Sequence, residues 1–269
     1  IVAAAGYAEP FYAFRNDALI HASRELHVNR KIHALTMSHE LTGKSRLAGF
    51  YIEPTLRGDA AAHLMSRARM MYVAMNRRRF TPEVFSLLLG VTDETGASPF
   101  WEAVGRKFFG RDFKDIELAS GGRSRTFIAE VMPAYPLYVP LLPEPAQRVL
   151  GEPDPSALLA YEIHLEEGFE PDRYVDIFDA GPVLECHIVD LRTVRDSVVV
   201  PVEIGEAHAE EGVRSLVSNT SLGDFRVGFA PGVVHDGVFT LGATEAAALN
   251  VAAGDPVRVL GPATKQKQG

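Results

Sequence analysis

Residues 47–75 read LAGFYIEPTLRGDAAAHLMSRARMMYVAM, a short apolar run, a loop of small residues and a long stripe of helical period in direct succession. The run Leu47 to Ile52 is continuous rather than alternating and ends at Glu53-Pro54, the pattern of a strand covered on both faces. From Ala61 to Arg79 the apolar residues Leu64, Met65, Ala68, Met71, Tyr72 and Met75 recur at helical spacing, with Arg67, Arg69, Arg77 and Arg78 between them. A buried strand that passes through a tight loop into a helix is the building unit of an α/β fold. The methionine-rich stripe reads as core packing.

The loop between them has the chemistry of a phosphate cradle. A helix N-terminus leaves backbone N–H groups unpaired and carries partial positive charge, and small side chains let a pyrophosphate approach them. Arg57 adds a forked cationic donor, and Gly58, Ala60, Ala61 and Ala62 keep the approach open. An alanine-rich helix start with a solvated arginine accounts for the same residues, so the loop alone leaves both readings open.

Further along, Val84 to Val91 reads as a second buried strand, and Ser98-Pro99 supplies an N-cap and a first helical residue for a helix ending at Gly110. Thr126 to Met132 is expected as a strand. A helix from Pro155 to Glu167 is capped by Asp154 and stopped by Gly168, and strands at Arg173 to Phe178 and Val183 to Ile188 flank the turn Asp179-Ala180-Gly181-Pro182. After about residue 195 short strand-like runs separated by glycine turns take over, with a helical patch at Glu245 to Leu249. The expectation is an α/β domain over 1–195, a small β-rich barrel or sandwich over 196–262, and a frayed tail over 263–269.

The formal charge of −8 excludes a general affinity for nucleic acid, which needs clustered lysine and arginine, and no segment is apolar enough to span a bilayer. The single cysteine, Cys186, excludes an intramolecular disulfide and a multi-cysteine zinc site and suits a reducing cytoplasm. The histidines, among them His39, His63, His164 and His187, show no zinc-ligand spacing, and no metal is expected. The chain opens at Ile1 on apolar residues with no secretory pattern, and a missing N-terminal portion is expected.

Gly90-Val91-Thr92-Asp93-Glu94-Thr95-Gly96-Ala97-Ser98-Pro99-Phe100-Trp101 resembles a signature segment of the arginine N-succinyltransferases, members of the acyl-CoA N-acyltransferase (GNAT-like) superfamily. Further similarity runs through Arg15, His21-Ala22-Ser23, Thr42-Gly43, Phe127-Ile128-Ala129-Glu130 and Tyr174-Val175-Asp176-Ile177-Phe178-Asp179, and thinly through Phe225-Arg226-Val227. The resemblance implies transfer of succinyl from succinyl-CoA, a co-substrate rather than a resident cofactor, to the α-amino group of L-arginine or ornithine. It also implies further N-terminal structure and an oligomer, homomeric or with a homologous subunit. Two other readings stay open: a noncatalytic or regulatory subunit, and an acyltransferase with a different acceptor.

By the same resemblance Arg57, Ala60 and Ala62 occupy the superfamily's coenzyme-A loop, with Ala60 in place of a glycine. Phe50 and Ile52 lie on the strand that contacts the acyl donor, Phe50 where leucine is usual. The family's proton-donor histidine, which precedes a proline, is replaced by Asp154, a residue that equally makes a helix N-cap. Asp93 and Glu94 are candidates to hold a guanidinium or ammonium group or to take a proton from the amine, and a solvated turn explains them equally well. His21 is a reserve acid or base. Ser98 stands beside the proposed amine site, and Arg15, or else Arg46, is the expected partner of the succinyl carboxylate.

Overall fold

In a computed structural model, residues 1–7, 9–56, 60–120, 126–206 and 212–262 are described. The chain divides into two compact units, Ile1–Gly49 with Thr81–Ile188, and Phe50–Phe80 with Val189–Gly269. The long helix α1, Ala60–Met75, belongs to the second.

The first unit is built on strands β1 (Ala13–Ser23), β2 (Val28–Ser38), β3 (Ser45–Leu47), β4 (Glu83–Leu87), β5 (Leu137–Tyr138), β6 (Glu170–Val175) and β7 (Pro182–His187). Their order is β3-β4-β7-β6-β1-β2-β5. The β3–β4 pair is parallel and the other pairs are antiparallel. Adjacent residues of β1 explain the layering: Phe14 joins a core with Leu35, Trp101, Ile128 and Val175, while Ala13 joins another with Phe11, Phe85 and Tyr174. Both faces of the sheet are therefore covered, which is why its central strands lack polar alternation.

Helices α2 (Pro99–Ala103), α3 (Gly105–Phe109), α4 (Phe113–Ser120), α5 (Thr126–Val131), α6 (Glu144–Arg148) and α7 (Leu158–Glu167) complete the unit. Several expectations change. The expected strand Thr126 to Met132 is instead a helix over Thr126–Val131, because Ile128 and Met132, one turn apart, are both buried. The strand expected over Leu47 to Ile52 leaves the sheet after Leu47, and Gly49 at φ +67° turns the chain away. The helix expected from Ser98 to Gly110 breaks at Val104 into α2 and α3, and Gly110 closes it in a left-handed conformation.

The second unit adds α8 (Arg192–Asp196), α9 (Ala243–Leu249) and strands β8 (Val198–Ile204), β9 (Arg214–Asn219), β10 (Val227–Pro231), β11 (Phe239–Leu241) and β12 (Pro256–Leu260). These five form one open half-barrel sheet in the order β10-β9-β12-β8-β11. Alternation assigns its faces. Leu216 and Leu260 pack with Met71 and Leu64 of α1, whereas Val217 and Val259 pack with Ala246 and Leu249 of α9. The tail over 263–269 lies outside the described residues.

Candidate functional site

Three segments of the first unit, distant in sequence, meet at the ends of β4 and β7. Leu88 N donates to Pro182 O at 3.1 Å, Asp154 N to Leu89 O at 2.8 Å, and Gly151 N to Ala180 O at 2.9 Å. The buried Asp179 carboxylate clamps the junction, accepting from Gly90 N and Gly181 N, each at 2.8 Å. A Cβ on Gly90 would lie 2.6 Å from Gly181 N, and one on Gly181 would lie 2.4 Å from Leu88 O. The backbones approach too closely for any side chain at either position.

The segment Gly90 to Trp101 leaves this clamp as an ordered turn. Asp93 Oδ1 accepts from Thr95 N at 2.8 Å, Thr95 Oγ1 at 2.6 Å and Ala97 N at 2.9 Å. These donors, the Thr95 hydroxyl foremost, hold the Asp93 carboxyl below the usual carboxylate range. Asp93 thus organises the turn, and the neighbouring Glu94 is exposed on it. Ser98 is buried and caps α2, its Oγ accepting from Trp101 N at 3.2 Å.

Asp154 lies beside this turn. Its Oδ1 accepts from Ser156 N at 2.9 Å and Ser156 Oγ at 2.6 Å, and Thr92 also donates to the carboxylate. Burial works to raise its pKa, but the hydrogen bonds from Ser156 and Thr92 outweigh it and hold the carboxyl below its usual range. Near neutral pH Asp154 is an ionised acceptor and cap with no proton to donate.

Two other expected site residues stand elsewhere in the sheet. β1 is three strands from β4 in the sheet order. On β1, Arg15 is forked onto Asp17, with Nε 2.8 Å from Oδ1 and a second nitrogen 3.3 Å from Oδ2, and it also pairs with Glu40. Asp17 is the main reason its pKa is raised, so Arg15 is already engaged by carboxylates. His21 is exposed near the tip of the β1–β2 hairpin, its ring edge-on to Tyr138 with centroids 6.4 Å apart. Neither reaches the junction that joins Thr92, Asp154 and Asp179.

The second unit carries the loop. Arg57 and Gly58 lie outside the described residues. Beyond them α1 starts at Ala60, with Ala60 exposed, Ala61 half-buried and Ala62 fully buried, and no acidic residue in its first turn. Small residues in the first turn of a 16-residue helix suit a phosphate, and Asp59, which precedes them in the sequence, lies outside the described residues. Ile52 is buried, and Phe50 packs under the Arg69 guanidinium, whose Cζ stands 5.0 Å from the ring centroid.

The family model for the arginine N-succinyltransferase beta subunit matches residues 1–193, and the model for the C-terminal domain of that subunit matches residues 198–261. The chain belongs to the arginine N-succinyltransferase family. It is 45% identical over 265 residues to the arginine N-succinyltransferase subunit alpha of Pseudomonas aeruginosa, covering 97% of this chain and 77% of that one. It is 36% identical over 267 residues to the arginine N-succinyltransferase of Salmonella paratyphi B, covering 99% and 78%. Among solved structures, the arginine/ornithine succinyltransferase subunit AI from Pseudomonas aeruginosa superposes with a TM-score of 0.85 at 40% identity, over 97% of this chain and 76% of that one.

Sequence reasoning missed the residues that assemble the junction. Thr92, Gly90 and Asp179 lie inside segments quoted for the family resemblance and Gly181 in the turn that follows, but none announces a chemical role by type. Two glycines some ninety positions apart that tolerate no Cβ are the signal that only the fold reveals.

Proposed function

We propose that this chain transfers the succinyl group of succinyl-CoA to the α-amino group of L-arginine, with ornithine as a second acceptor. What carries this reading is the meeting of Gly90 to Ser98, Asp154 and Asp176 to Pro182 at one junction, in a chain that matches arginine N-succinyltransferases along its length. In such a transfer a neutral amine attacks the thioester carbonyl, the N–C bond forms, the C–S bond breaks, and the proton lost by the amine balances the departing thiolate. No enzyme nucleophile is needed, and the buried Cys186 stays outside the chemistry.

In our assignment the helix start at Ala60 to Ala62, with Arg57 and Gly58, holds the pyrophosphate, and Phe50 and Ile52 line the acyl arm. Succinyl-CoA supplies the thioester when bound, and coenzyme A leaves as the thiol. Glu94 receives the substrate ammonium or its proton, with Asp93 and Ser98 shaping the turn that presents it. Asp154 acts by positioning Thr92 and the first turn before α7. The relatives' designation as subunits supports an assembly with identical or homologous chains, and the lone buried cysteine suits the cytoplasm.

The test is free-thiol release from succinyl-CoA with arginine, ornithine, lysine and polyamines. Turnover is expected with arginine. Failure with every amine would overturn the enzyme reading and leave a noncatalytic subunit, a role that the ionised Asp154 favours and that copurification of an active homologous chain would support.

A further inference from the structure

Among the described residues several cations are matched by carboxylates. Arg15 has Asp17 and Glu40, Lys44 has Glu83 and Glu185, Arg106 has Glu102 and Asp112, and Arg226 has Asp224. Arg69 on α1 is different. Its Nε donates to Ser66 O at 3.4 Å and one terminal nitrogen to Ser66 Oγ at 3.0 Å, while Phe50 offers a ring face at 5.0 Å. All of these partners are neutral. Among the described residues no carboxylate reaches it, and no hydrogen bond from its other terminal nitrogen is seen among them.

The surroundings make this arrangement costly without an anion. Ser66, Met70 and Val73 on the same side of α1 are buried, and desolvation pulls the Arg69 pKa down to about 10, so the group remains charged at neutral pH. Arg258 is also desolvated, but its Nε donates to Met75 Sδ at 3.0 Å and a terminal nitrogen donates to Ser197 Oγ at 2.8 Å, which pins β12 to the segment before β8. Among the described residues Arg69 instead hydrogen-bonds only within its own helical turn, with its guanidinium over the Phe50 ring.

We propose that Arg69 binds the free carboxylate of the succinyl chain and so sets the preference for a dicarboxylic acyl donor. This rests on the assignment of Phe50 and the start of α1 to the acyl-CoA. A planar guanidinium with an unpaired edge receives a carboxylate through two parallel hydrogen bonds, which an acetyl group cannot offer. Ser66 and Phe50 orient the fork in advance, and the missing protein carboxylate leaves the place for the ligand's own.

The test compares succinyl-CoA with acetyl-CoA, for wild type, Arg69→Gln and Arg69→Lys, by direct calorimetric binding and by thiol release with arginine. In Arg69→Gln, succinyl-CoA binding and kcat/KM should fall about 30- to 100-fold, the loss of a paired charge-assisted hydrogen bond. Acetyl-CoA values should stay within about threefold, and Arg69→Lys, a point charge without the fork, should lie between. Thermal unfolding of Arg69→Gln should match wild type or exceed it, because an uncompensated charge is removed. Equal loss for both donors, or unchanged discrimination, would overturn the assignment. Should wild type turn over no amine, the proposed function falls, and the binding comparison still decides: equal wild-type affinity for the two thioesters sinks the role of Arg69.

Discussion

Replacing Asp154 by alanine and by asparagine separates a cap from a proton donor. The carboxylate accepts from Ser156 N and Oγ and from Thr92, so alanine removes a helix cap and a link to the Asp93 turn together. A lost N-cap costs about 1 kcal/mol, and the Thr92 link adds roughly as much again, discounted because the side chain is half-exposed and screened. About 2 kcal/mol in a protein of this size lowers Tm by roughly 4–8 °C. Asparagine caps nearly as well and should lose less than half of that. Because the folded pKa is depressed, the carboxylate's contribution is present above the unfolded aspartate pKa and is lost as pH falls through the folded one. The difference between wild type and Asp154→Asn should therefore fade toward acid pH. Turnover of Asp154→Asn should stay within about threefold of wild type, whereas loss of a general acid would cost ~100-fold or more. Wild-type melting with turnover reduced a hundredfold in Asp154→Asn would refute the positioning role.

Gly181→Ala forces a Cβ to within 2.4 Å of Leu88 O and 2.5 Å of Gly90 N, backbone atoms that cannot swing aside. A loss of about 3 kcal/mol or more is expected, seen as a Tm lower by roughly 6–12 °C, and a shift under about 2 °C would mean the segments part easily. Lys44→Met removes the main cation from Glu83 and Glu185, which stand 3.1 and 2.6 Å from the Lys44 nitrogen. Burial opposes the lysine charge but the two carboxylates outweigh it, so the pKa is raised and the stabilisation persists below the ordinary lysine range, fading as pH rises through the folded value. Destabilisation of about 2 kcal/mol at pH 7 is expected by urea unfolding, and an unchanged midpoint would contradict the pairing.

The central strands and the C-terminal half were legible because hydrophobic pattern and turn residues agree there, as at Val84 to Leu87 and Pro256 to Leu260. Thr126 to Val131 misled because its β-branched and aromatic residues suit either state, and tertiary burial of Ile128 and Met132 chose the helix. The hairpin of β1 and β2 was not read as strands at all. Beyond Arg15 the outer edge of β1 runs past its last pairing with β6, and the hairpin's distal residues are largely exposed, so no alternation marks them. Its turn places His27 at φ +50°, a conformation with no glycine to announce it.

The candidate site was half legible for a related reason. Residue type points to chemistry, but only partners decide whether a charge is available for it. Asp93, Asp154 and Arg15 were singled out by type, and each proves to be satisfied within the protein, by Thr95, by Ser156 and Thr92, and by Asp17. Arg69 was named only as one of the arginines between the apolar positions of Ala61 to Arg79 and given no role, yet among the described residues no carboxylate meets it where burial makes one most valuable. The same physics acts in opposite directions at these positions. A carboxylate whose hydrogen bonds are filled is held ionised and serves the fold, while a guanidinium kept half-dry beside neutral groups gains most when a ligand brings the anion. Discrimination between succinyl-CoA and acetyl-CoA should therefore follow Arg69 and remain indifferent to Arg15, so that Arg15→Gln lowers stability without narrowing the ratio of the two donors.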